Sequence, residues 1–157
     1  MIVAWVAVAL IGSALGAWLV WSVLDRPLSS TPDREEIAAL DSRLKEIRSG
    51  IGPIAISFSA ETTSDVIDVA DYRIRVRAVR SLVDSTNGMA ASSPEALEIR
   101  DLIVTGGAQV LDGFDGALDA LASNDASAAT SPASLVDEGI AALQDAQDKI
   151  DALLGGS

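Results

Sequence analysis

The sequence predicts an all-α protein, with a single transmembrane helix at its N-terminus followed by an antiparallel bundle of about four helices. Three observations carry that expectation. Residues 2–24 contain no charged side chain. Beyond them, apolar residues recur at alternating steps of three and four, which is the spacing of one helix face. Thr-Pro-Asp and Ser-Pro-Glu triplets stand where two of these patterns begin, and such residues suit helix N-termini.

The opening run rises about 1.5 Å per residue as a helix, so it is long enough for a hydrocarbon core of about 30 Å. Trp5 lies near one end, and Trp18 and Trp21 near the other, where indole rings favour the membrane interface. No basic side chain precedes the run, and bulky residues occupy its end, so a retained anchor fits better than a cleaved signal peptide. Gly12 and Gly16 form Gly-x-x-x-Gly, flanked by Ala9 and Ser13. Small residues let transmembrane helices approach closely, so this face is expected to pack on another span. Arg26 follows the run at once, and with Trp18 and Trp21 it marks the membrane interface. The positive-inside bias then gives a single-pass plasma-membrane protein whose C-terminal domain lies in the cytoplasm rather than outside.

Residues 25–31 read as a polar linker, residues 32–154 as an acidic helical domain, and residues 155–157 as a frayed tail. The first helix starts at Thr31-Pro32-Asp33, carries the seam Ile37, Leu40, Leu44, Ile47 and Ile51, and ends or kinks at Gly50, Gly52 and Pro53. Residues 54–58 are apolar and read as a buried connection or a helix start. The second helix spans about 63–85, with Ile67, Ala70, Ile74, Ala78 and Leu82 as its expected stripe. Tyr72 to Arg77 also alternates as a strand would, but the length favours a helix. A turn at Asn87-Gly88 precedes the third helix, which opens at Ser93-Pro94-Glu95 and carries Ile99, Ile103, Val110, Phe114, Leu118 and Leu121. Gly106, Gly107, Gly113 and Gly116 interrupt it, as a hinge or, preferably, as close helix contacts. The last helix begins near Ser131-Pro132 or Ser134, with Val136, Gly139, Leu143, Ala146, Ile150 and Leu153 as its seam. Short connections suit an up-and-down bundle.

The chain has 23 acidic and 11 basic residues and a net charge of −12. That balance argues against general nucleic-acid binding, which needs Lys and Arg to displace counterions. With no His and no Cys, His-based triads, thiolate chemistry and nitrogen or sulfur metal sites are excluded. The remaining carboxylates, including Asp65, Asp68, Asp71, Asp112, Asp115, Asp119, Asp137, Glu138, Asp145, Asp148 and Asp151, have no EF-hand spacing. No enzyme activity, cofactor or metal is expected. The oddest local feature is Arg73, Arg75, Arg77 and Arg80 within eight residues. It reads either as a patch for an anionic partner or as internal pairing, beginning with Asp71 and Arg75 at i,i+4.

An uncharged opening helix with a small-residue face, then a small acidic helical domain rich in Ala and Asp and poor in Lys, resembles the single-span accessory subunits of actinobacterial respiratory supercomplexes, of the respiratory supercomplex association factor type. The likeness is one of architecture, over residues 2–24 and about 31–154. It implies cytochrome bcc and cytochrome oxidase as neighbours, with the hemes and copper in those subunits. The expected function is therefore that of a non-catalytic, membrane-anchored accessory or assembly subunit that contacts integral membrane subunits through its span. The alternatives are a self-associating coiled-coil scaffold and an extracytoplasmic domain that binds an anion through residues 73–80.

Overall fold

The computed structural model describes residues 32–60, 69–123 and 130–155. They form four helices: α1 (Pro32–Ala60), α2 (Val69–Thr86), α3 (Pro94–Ser123) and α4 (Thr130–Gly155), with no strand among the described residues. Their apolar stripes explain why they associate. Ile37, Leu40, Leu44, Ile47 and Ile51 of α1 recur at helical spacing, and all are buried. They meet Tyr72, Val76, Val79 and Val83 from α2, Ile99, Ile103, Val110, Leu111 and Phe114 from α3, and Val136, Leu143, Ala146 and Ile150 from α4. Each fully buried Leu, Ile or Phe contributes roughly 1.5–3 kcal/mol of transfer free energy.

Consecutive helices run antiparallel. Ser92, just before α3, donates its N–H and hydroxyl to the carboxylate of Glu36 near the start of α1, which ties that end of the bundle together. The α3–α4 contact is the most extensive, α1 packs on the other three helices, and α2 packs on α1 and α3. The α3 start is capped as its sequence requires: the Ala96 N–H donates to Ser93 Oγ at 3.1 Å.

The glycines of α3 are close contacts. A Cβ on Gly139 would stand 2.6 Å from the Gly106 carbonyl oxygen and 2.8 Å from the Val110 backbone nitrogen. One on Gly106 would stand 2.8 Å from the Gly139 carbonyl oxygen. The two backbones therefore touch where neither residue has a side chain, and the conformational cost of helical glycine is offset by that contact.

Three expectations are corrected. First, α1 neither ends nor breaks at Gly50, Gly52 and Pro53 but runs on to Ala60, so residues 54–58 belong to it. Pro53 lies on the exposed side, while Ile51, Ile54 and Ala55 stay in the core, so the seam carries the helix past the proline. Secondly, α2 buries a different face from the one its sequence suggested. Ala70, Ile74 and Ala78 are exposed, Leu82 is half-buried, and the buried stripe is Tyr72, Val76, Val79, Val83 and Thr86. Tyr72 and three valines at steps of four, three and four present more apolar volume than two alanines and one isoleucine, so they win the inward position. Thirdly, single-pass placement in the plasma membrane is overturned: no helix among the described residues is long and apolar enough to cross a membrane. The run on which that placement rested, residues 2–24, lies outside the described residues, as do the linker 25–31, Ala9, Gly12, Ser13, Gly16, Trp18, Trp21 and Arg26. Ile67, Asp65, Asp68, the segment 124–129 and residues 156–157 lie outside them too, while Gly155 closes α4.

Candidate functional site

The arginine cluster separates into two pairs once α2 is in place. Arg75 Nε donates to Asp71 Oδ2 at 2.6 Å, one turn back on the same helix. Arg80 reaches α3, where its Nη2 donates to Asp112 Oδ1 at 2.9 Å and to Asp115 Oδ2 at 3.1 Å. Asp115 Oδ1 also accepts the Tyr72 hydroxyl at 3.2 Å, so one carboxylate joins two α2 side chains to α3. Partial burial works against the charge of Arg80, but Asp112 and Asp115 outweigh it and hold the guanidinium above its usual pKa. Burial, followed by the charge and hydrogen bond of Asp115, pushes the Tyr72 phenol far above its ordinary value. Asp112 and Asp115, candidates for site chemistry on sequence grounds, act here as α2–α3 braces.

Arg73 and Arg77 are different. Both are exposed, and neither makes a hydrogen bond or ion pair with the described residues. They stand at i,i+4, so they share a stripe on the outer side of α2. Beside that stripe Ile74, one turn before Arg77 (i,i+3), is 65% exposed, the most exposed large apolar side chain among the described residues. The other side of the helix is anchored in the core by Tyr72, Val76, Val79 and Val83.

The charge of the four helices sharpens the contrast. The α2 helix carries four arginines against two aspartates. The α3 helix carries six acids against one arginine, and α4 five acids against one lysine. Only α2, among the described helices, has a positive balance.

The other features of the surface offer less. Two adjoining open clefts, about 190 Å³ and 410 Å³, lie between α3 and α4; Lys149 is paired with Glu98 at 3.2 Å where they meet. Asp119, Asp137, Glu138, Asp145, Asp148 and Asp151 are exposed, and no three acidic groups among the described residues are placed to hold a metal ion. Arg48 is a buried polar group that sequence reading passed over. It is 9% exposed and donates to Gln147 Oε1 at 2.8 Å. Burial lowers its pKa, and the charges of Asp151 and Asp41 oppose that. The signal was present: Arg48 lies four residues after Leu44 and three before Ile51, on the seam itself.

No protein-family model, curated protein or solved structure matches this chain.

Proposed function

We propose that this chain is a non-catalytic accessory protein that acts by contact, binding another protein through the outer face of α2. One observation carries the proposal: Arg73, Ile74 and Arg77 form an exposed face on a firmly held helix and have no bonding partner within the described fold. Two uncommitted arginines beside an exposed isoleucine offer two charges and an apolar contact, and Arg is among the side chains that carry most binding energy at interfaces. The seam residues of all four helices are already buried against one another, which speaks against the alternative of a scaffold assembled through open seams.

The test is a photo-reactive amino acid placed at Ala78 of the full chain, with Ala141 on α4 as the control; both positions are exposed. Irradiation in the native cell is expected to give discrete protein adducts at Ala78 that the Ala141 probe does not give. Equal or absent labelling at the two positions would remove α2 as the contact face.

A further inference from the structure

We infer that the Arg73–Ile74–Arg77 face receives an acidic amphipathic helix, one carrying Asp or Glu four residues apart around an apolar residue. This rests on the preceding proposal that α2 is a contact surface, and it adds the chemistry of the partner.

Arg73 and Arg77 lie one turn apart, about 6 Å between Cβ atoms, and carboxylates at i,i+4 on a facing helix repeat at the same interval. A guanidinium presents a planar fork of donors that a carboxylate can accept in bidentate fashion. Ile74 flanks the stripe, about 60° round the helix from Arg77, and supplies the apolar contact that surface ion pairs alone lack, since exposed pairs are worth only about 0–1 kcal/mol. The neighbouring arginines are already committed, Arg75 to Asp71 and Arg80 to Asp112 and Asp115, so among the described residues the uncommitted positive charge of α2 is that of Arg73 and Arg77.

Other occupants fit less well. Two α2 helices crossing face to face would bring a helix of four arginines and two aspartates against its own like charge. On α2 a nucleic acid would meet two arginines uncommitted among the described residues, on a molecule of net charge −12, and its phosphate backbone needs many cationic contacts. An acidic helix needs only the local charge of α2, the described helix with a positive balance.

A yeast-displayed library of 18-residue helices, selected against the full chain, tests the inference. Enriched sequences are expected to carry Asp or Glu four apart around an apolar residue. Their affinity should fall about ten-fold or more against the Arg73→Glu/Arg77→Glu chain, and selection on that variant should return Lys and Arg instead. Neither arginine is bonded to the described residues, so the variant should keep the far-UV circular dichroism of the parent; Ile74→Asp provides a second, independent loss of binding. Enrichment of neutral or basic helices on the parent, or acidic helices indifferent to both variants, would overturn the inference. So would a concentration-dependent oligomer that Ile74→Asp dissolves, because it would assign the face to a second copy. Adducts from Ala78 that map to a segment without paired acids would sink the inference and leave the contact proposal standing; no adducts would remove both.

Discussion

Tyr72 shows how one residue can be a core side chain and a polar brace together. Its ring is 3% exposed, and its hydroxyl finds Asp115. It is the chain's single tyrosine, so its ionisation can be followed alone by ultraviolet absorbance. The folded-state pKa is raised above the ordinary value near 10, so the phenol contributes stability that is fully present below pH ~10. Above that, the unfolded chain loses the proton and the folded chain keeps it. Stability should then fall by about 1.4 kcal/mol per pH unit. Urea unfolding at pH 9 to 11 should show this slope in the parent and a shallower one in Tyr72→Phe. Equal slopes would mean that the phenol ionises in the folded protein as freely as in water. Arg48 is another buried polar residue, and Gln147 meets its guanidinium where an unpaired charge would be costly.

At the scale of elements, the α3–α4 contact is set by absent side chains. A Gly139→Ala methyl would meet the Val110 Cγ2 methyl at 2.7 Å and two backbone atoms of α3, the Gly106 oxygen and the Val110 nitrogen, which cannot rotate away. The helices would have to separate, at a cost of about 1–3 kcal/mol from overpacking, set against a gain of about 1 kcal/mol in helix propensity. Chemical denaturation should therefore show a net loss for Gly139→Ala. Gly88 in the turn after α2 is the control: only the Ser85 carbonyl oxygen, at 3.7 Å, lies near a Cβ there, and Gly88→Ala should stay within about 0.5 kcal/mol of the parent. A Gly139→Ala protein as stable as the parent would show that the crossing can open without cost. The course of α1 past Pro53 follows the same logic in reverse. A missing N–H on the exposed face is tolerated because Ile51, Ile54 and Ala55 hold the helix from the other side.

For the whole molecule, one contiguous core joins all four helices, which predicts a single cooperative unfolding unit. Buried amides of α1, at Leu44 to Ile51, and of α3, at Ile103 to Leu111, should exchange hydrogen through openings of similar free energy. A clearly weaker α1 would mean that it docks on a stable remainder. The helical class was legible because three of the four seams are long: Ile37 to Ile51, Ile99 to Phe114 and Val136 to Ile150 turned inward as their spacing required, although Leu153, the expected last residue of the α4 seam, is exposed. The α2 face was misread because Ala70, Ile74 and Ala78 also repeat at helical spacing, and spacing alone does not say which of two apolar stripes outweighs the other. The internal pairing of Arg75 with Asp71 could be foreseen from an i,i+4 interval, whereas the Arg80 contacts with Asp112 and Asp115 depend on how two helices are rotated against each other. The division of the arginines into braced and free was therefore invisible until α2 and α3 were placed together.

Arg48 and Gly50 have a joint consequence for the sense in which the chain winds. Two residues apart on a helix is about 200° of rotation, so they face nearly opposite flanks of α1. Arg48 points toward Gln147 of α4, and Gly50 admits Val79 of α2, whose Cγ2 would stand 2.5 Å from a Cβ there. An up-and-down bundle can turn in either of two mirror senses, with the second and fourth helices exchanging sides. In the other sense Arg48 would face the valines of α2 with no acceptor, and Gln147 would face a glycine. The same apolar seams could serve both isomers; this asymmetric pair discriminates between them.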